Sequence, residues 1–245
     1  MGSMNGSLRL GVGWSTHFDR PWPMRIFYRR LRYAYRAPSL FVERMLDTGS
    51  SIGFLRFDEE LLAEDLDGTR TSLADAVDFL YLSTHGETKS ADYKVVLHGA
   101  DWSPAASGLG AGGPVVAVFD TCDLLDLSEV NWMDPWSQGA GSVLRLILGF
   151  ASPAAFDKSA SLRGAAFAEN LQAGIPIAQS WLIAVHQTSL PDTDVGVAIA
   201  IGDDDDDADY ILHHSTLDNP PAPRTGSTPS IKAEVYVDLD TAGDP

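Results

Sequence analysis

The sequence predicts a single α/β domain in which helices flank a mostly parallel sheet, and three observations predict it. Phe79 to Ser83 and Val115 to Phe119 are short apolar runs of buried-strand character, each emptying into a polar tip. Val143 to Ala151 is a longer, near-continuous apolar run, as a strand buried on both faces requires. Ser161 to Ala173 and Pro176 to Gln187 are amphipathic at helical spacing, the first closed by Gly174 and the second opened by an early proline. Helices alternating with buried strands are the pattern of a layered parallel sheet.

The other elements follow in chain order. Leu8 to Trp14 alternates apolar with small or polar residues and reads as a first strand, followed by a Pro-rich turn. Ile26 to Tyr35 predicts a helix with an aromatic stripe of the kind that packs a core, and Pro38-Ser39 opens a short helix over 40–46. Ile52 to Phe57 reads as an edge strand, and the acidic stretch Asp58 to Asp67 as helical up to Gly68. Ser72 caps a helical turn through Ala76. Residues 98–114, rich in Gly, Ser and Ala, predict a loop lying as a flap over a crevice. Asp126 to Gly141 is irregular, and its Trp132 and Trp136 either wall a pocket or anchor the core. Val195 to Ile201 is a further strand, Asp203 to Asp207 a surface loop, and Tyr210 to His213 a short edge strand. The domain spans residues 5–217. A Pro-rich and acidic extension covers 218–245, where Lys232 to Leu239 alternates well enough to add a strand.

Composition bounds the function. A chain of 245 residues, 44% hydrophobic, buries a sizeable core. A formal net charge of −17 argues against nucleic acid or an anionic membrane surface as a partner. Seven of the 17 basic residues lie between Arg20 and Arg44, so that segment is a solvated helix face, an anion site or a homodimer surface. One cysteine cannot form an internal disulfide, which fits a reducing cytoplasm. Neither a signal peptide nor an apolar run of about 18 residues, enough to span a bilayer, is apparent, and Met1 to Met4 reads as an expression scar. No metal or cofactor is expected. The histidines lack ligand spacing, and five adjacent aspartates lack the spaced ligands and glycine hinge of a calcium loop.

If the two polar tips end neighbouring parallel strands, His85, Glu87, Asp120 and Cys122 share one crevice beyond the strand ends, where open α/β sheets bind ligands. His-Gly after one strand and Asp-Thr-Cys after the next resemble the caspase-like α/β fold of cysteine peptidases, over roughly residues 75–185. The resemblance implies that Cys122 is a nucleophile and His85 its base, with the amides of Gly86 and Cys122 as oxyanion donors. It also implies that Asp120 lines a first specificity pocket and favours a basic side chain. The chain departs from those peptidases after the cysteine, where Asp123-Leu124-Leu125 stands in place of a small residue or glycine. A neighbouring carboxylate raises a thiol's pKa, so a buried, inert cysteine is the alternative.

The same crevice supports a second resemblance. The chain length and the spacing of Arg70 and His85 are similar to those of small actinobacterial Pictet–Spenglerases, which form β-carbolines from tryptophan and an aldehyde. That resemblance implies that Arg70 clamps the substrate carboxylate, that His85 assists, and that Glu87 is the acid/base, although Glu87 lies closer to the histidine than the family pattern. One carboxyl group of raised pKa serves the proton transfers of iminium formation and rearomatisation. Trp102, Trp132, Trp136 and Tyr93 are candidates to stack on the indole, and His98 is a further substrate-binding candidate. The partners are then a tryptophan-like amine and an aldehyde. The sequence places the cyclase first, the cysteine peptidase second and a non-catalytic binding module third.

Overall fold

The computed structural model describes residues 8–18, 30–68, 72–89, 92–128, 131–139, 141–189, 194–226 and 228–236. In order they form β1 (Arg9–Trp14), α1 (Arg36–Leu46), β2 (Ser51–Phe57), β3 (Phe79–Ser83), β4 (His85–Lys89), β5 (Asp92–Val96) and β6 (Asp101–Trp102). Then come α2 (Pro104–Ser107), β7 (Val116–Asp120), α3 (Asp134–Gly139), β8 (Leu146–Phe150), α4 (Arg163–Gln172) and α5 (Ile177–Thr188). The chain closes with β9 (Gly196–Gly202), α6 (Asp205–His214) and β10 (Ser230–Tyr236).

Seven strands make one sheet in the order β10-β9-β8-β7-β3-β1-β2. From β2 to β8 all neighbours are parallel, whereas β9 runs antiparallel to β8 and β10 antiparallel to β9. Every residue of β3, β7, β8 and β9 is buried, which is why these strands read as continuous apolar runs. This is the expected mostly parallel α/β sheet. Because β1 has β2 on one side and β3 on the other, the strand order reverses there, the position beyond whose carboxyl ends open α/β sheets bind ligands.

The two faces are covered differently. On one, α1, α4, α5 and α6 bury Phe41, Phe167, Trp181 and Ile211 against Tyr81, Val118 and Leu148. Phe41 packs on Tyr81 and Phe167 at ring separations of 5.1 and 5.6 Å, and the Trp181 indole donates to the Gly149 carbonyl at 3.1 Å. Gly164 lets α4 approach α1, since a Cβ there would collide with the Ala37 carbonyl. The other face is covered by a small antiparallel sheet, β4-β5-β6, whose Tyr93, Val95 and Trp102 pack with Trp136 on Leu80, Leu82 and Phe119.

Several expectations are corrected. The polar stretch after β3 is strand β4, not a turn, and it starts the second sheet. Asp58 to Asp67 makes two short 3-10 turns instead of a helix. The first helix begins at Arg36, four residues before the predicted start; residues 26–29 of the predicted aromatic helix lie outside the described ones. Residues 101–107, expected within a flap, form β6 and α2 and bury Trp102. The aspartate run is the start of α6, not a loop, and Tyr210 to His213 lies inside that helix. There Asp204 caps the Asp207 amide, while three aspartates open the helix and two histidines close it, in the order the helix dipole favours. The predicted strand beyond residue 230 is real: β10 pairs with β9 from Ser230 opposite Gly202 to Tyr236 opposite Gly196. Residues 237–239 of that expectation lie outside the described chain. Among the described residues no helix is long and apolar enough to cross a membrane.

Candidate functional site

Strands β3 and β7 lie side by side and parallel, with Ser83 opposite Asp120. Each polar tip therefore leaves the same edge of the sheet. Beyond β3 the Thr84 amide donates to the Asp120 carbonyl at 3.4 Å, and the chain turns into β4. Alternation along β4 puts His85 and Glu87 on one face and Gly86 on the other. Gly86 backs onto the residue that matters most: a Cβ there would fall inside the Cys122 carbonyl oxygen, with Thr121 Oγ1 only 3.0 Å away. Histidine and cysteine segments thus meet backbone to backbone, as the parallel-strand reading required. His85 also packs on Phe18, ring centres 4.7 Å apart, next to an apolar cluster containing Leu31, Ala34 and Val96. Glu87 sits across the hairpin from Lys94.

The thiol is set between two groups of one residue. The Ala154 amide donates to Sγ at 3.3 Å, and Sγ lies 3.6 Å from the Ala154 carbonyl. Burial pushes the thiol pKa up to about 11, the Ala154 amide opposes this, and the carboxylates of Asp123, Asp120 and Asp194 add to the rise. Asp123 has a left-handed backbone, φ 51°, and its amide donates to the Ser152 carbonyl at 3.0 Å. Aspartate is among the few non-glycine residues that accept this conformation at low cost, so it provides the sharp turn after the cysteine that a glycine otherwise would. Replacing it with asparagine keeps the turn and removes one of the charges raising the thiol. Asp123→Asn is expected to speed iodoacetamide alkylation of Cys122 at pH 8 on the order of threefold. An unchanged rate would mean that Asp123 does not influence the thiol.

Asp120 is not open to a substrate. Its Oδ1 accepts from Arg163 Nη1 at 2.6 Å and its Oδ2 from the Tyr81 hydroxyl at 3.1 Å, with both side chains of the ion pair essentially unexposed. Arg163 Nη2 reaches Asp194 at 2.9 Å, and the guanidinium lies 4.5 Å from the Phe150 ring centre. Asp194 accepts further from the Ala155 amide and the Ser189 hydroxyl. Burial raises the Asp120 pKa against the opposing pull of Arg163. The preference for a basic substrate group implied by Asp120 therefore fails on a physical ground: an internal arginine already occupies that carboxylate. Arg163 and Asp194 were missed in the sequence because nothing in a helix-forming stretch marks a partner 43 positions away.

The remaining candidates are scattered. Arg70 lies outside the described residues. Trp102 is buried and stacks on Phe119 at 5.7 Å, Tyr93 is buried with its hydroxyl donating to the Asp126 carbonyl at 2.9 Å, and Trp132 packs against the same core. Tyr93 and Trp102 thus face the core from the small sheet, while Trp132 is partly buried. His98 is half-buried beyond β5, 4.0 Å from Glu59. At the ends of β1 and β2, Asp58 adopts φ 47° and accepts from the Thr16 and His17 amides at 2.6 and 3.1 Å. Burial pushes the Asp58 carboxyl up, but these bonds outweigh it and hold the group below its ordinary value. Among the described residues no group of three His, Cys, Asp or Glu side chains is arranged to hold a metal ion.

Fold and cleft together define an α/β protein with a histidine and a thiol at the carboxyl ends of adjacent parallel strands. Residues 32–229 match the family described as a domain of unknown function (DUF6345), and the chain belongs to that family. No curated protein matches the chain. Among solved structures it is similar to caspase-1 from Spodoptera frugiperda, with 13% identity, 92% of this chain and 86% of that one covered, and a TM-score of 0.47. It is also similar to a flavodoxin of Streptococcus pneumoniae TIGR4, with 12% identity, coverage of 67% and 98%, and a TM-score of 0.33.

Proposed function

We propose that the segments beyond the carboxyl ends of β3 and β7 form a cysteine-dependent acyl-transfer site, cleaving an amide or ester in the manner of a peptidase. What supports this reading is the packing of Gly86 against the Cys122 carbonyl, a contact between the backbones of the two segments. In the reaction His85 takes the thiol proton as Cys122 Sγ attacks the substrate carbonyl carbon. The amides of Gly86 and Cys122 are the candidate donors to the resulting oxyanion. Collapse expels the amine or alcohol, which takes the proton from His85, and leaves a thioester. Water, deprotonated by His85, then releases the acid and restores the thiol.

With a pKa near 11, the resting thiol is charged in only about one molecule in 10⁴ at pH 7. Attack accordingly depends on transfer of the proton to His85 as the bond forms, not on a standing thiolate. A peptidyl acyloxymethyl ketone is expected to label Cys122, with His85→Ala slowing labelling about 100-fold. Equal labelling of wild type and His85→Ala would refute the base role. One observation favours the other chemistry: the raised thiol pKa makes a poor nucleophile, while His85 and Glu87 share a face of β4. In that second reading these two groups handle protons in condensing a tryptophan-like amine with an aldehyde. It would be favoured if a β-carboline chromophore formed with Cys122→Ala and was lost with Glu87→Gln.

A further inference from the structure

Strand β2 ends the seven-stranded sheet, and among the described residues no strand pairs with its outer side. An edge of this kind presents open backbone amides and carbonyls to another chain. β2 is seven residues long and carries neither lysine nor proline, two of the devices that usually guard an edge. Its one irregularity is the extra residue Gly53, and from Phe54 to Phe57 it runs in unbroken register with Gly11 to Trp14. Phe54 anchors the strand: it is buried, and a Cβ on Gly11 would collide with its ring.

The opposite face of β2 is apolar and uncovered. Ile52, Leu55 and Phe57 lie opposite Leu10, Val12 and Trp14, so they stand on the face that α1 covers over β1 and β3. The helix layer stops short of β2, and the three side chains are 45, 39 and 43% exposed. The charges at the two ends of the strand say what fits there. At its carboxyl end the chain turns through Asp58 to exposed Glu59 and Glu60. Before its amino end stand exposed Asp47 and the carboxyl end of α1, which is also negative. A second copy pairing antiparallel would bring acidic turn against acidic helix end, on a chain of net charge −17. Self-pairing is opposed, and a basic partner is favoured.

We propose that β2 is a docking edge for an extended segment of another protein. The segment adds antiparallel as an eighth strand, lays alternate apolar side chains beside Ile52, Leu55 and Phe57, and carries lysine or arginine at its amino end against Glu59 and Glu60. This surface is independent of the acyl-transfer reading, since neither His85 nor Cys122 takes part.

The test is fluorescence anisotropy of the full chain with a dye-labelled nonapeptide amide, Lys-Arg-Lys followed by three Val-Thr repeats, at about 50 mM salt. A peptide with glutamate at the three basic positions is expected to bind at least about tenfold more weakly. Along a strand, alternate amides point to opposite edges, so peptides N-methylated on all valines or on all threonines separate pairing from charge. One of these two is expected to lose at least about tenfold in affinity and the other to match the parent. Leu55→Lys, a change at an exposed position, should weaken binding by about tenfold with an unaltered melting temperature. No binding of the basic peptide overturns the proposal, as does equal binding by both methylated peptides. A wild-type dimer in sedimentation that Leu55→Lys turns into monomer also overturns it, by giving the edge to a second copy.

Discussion

Arg163→Met is expected to destabilise the fold by about 3–5 kcal/mol, the loss typical of removing one partner from a buried ion network. Arg163 is unexposed and bridges Asp120 at 2.6 Å and Asp194 at 2.9 Å. Methionine matches much of its volume and keeps contact with Phe150, so the deficit reports charge more than packing. Two carboxylates are then left facing one another in a low-dielectric core. Urea unfolding at pH 7 measures the loss directly. The pH dependence gives a second check. Burial already raises Asp120 above its ordinary value, and losing Arg163 raises it further. A carboxyl group with a folded pKa above its unfolded one favours folding below the unfolded value, and that advantage fades as pH rises through the folded value. The variant's deficit should therefore be smaller at about pH 4 than at pH 7. Adding Asp120→Asn and Asp194→Asn should recover much of the loss at pH 7. A variant as stable as the parent at neutral pH would show that the network contributes nothing.

The ordering of these residues explains what could be read from the sequence. Runs such as Phe79 to Ser83 and Val116 to Phe119 are buried on both faces, so hydrophobicity alone reveals them, and their parallel pairing placed His85 and Cys122 at one edge. The hairpin carrying His85 was hidden because Glu87, Thr88 and Lys89 are polar in succession and mask the period-two alternation. Its partner strand supplies the apolar residues that bury it, Tyr93 and Val95. The aspartate run did carry a legible signal, since acids before an apolar helical spacing and histidines after it mark a helix. The tryptophans misled for a simpler reason. Composition says how many large rings there are, not which face of a sheet they cover, and Trp102 and Trp136 both pack on Phe119. Arg163 could not be found at all: an ion pair across two elements leaves no local trace.

Gly86→Ala is expected to lower the proposed acyl-transfer activity by at least about 100-fold while leaving the seven-stranded sheet folded. The added methyl group would overlap the Cys122 carbonyl oxygen, a backbone atom that cannot rotate aside. Relief requires β4 to move off the cysteine loop by roughly an ångström, and displacements of that size at reacting groups typically cost about two orders of magnitude in rate. The seven-stranded sheet is itself held by the pairing of β3, β7 and β8, apart from the hairpin. Both candidate oxyanion donors sit at this contact, so the shift would strike kcat harder than KM. Gly149→Ala is the matched control. Its methyl group would come within 2.9 Å of the Phe119 carbonyl, a milder backbone clash on β8, which β7 separates from the strand that leads to the histidine segment. If the two changes cut activity equally, the effect is general loosening of the sheet. If Gly86→Ala alone abolishes turnover with a normal melting temperature, the close approach of these two backbones is what the reaction uses. Full activity in Gly86→Ala would remove the observation on which the acyl-transfer site is built.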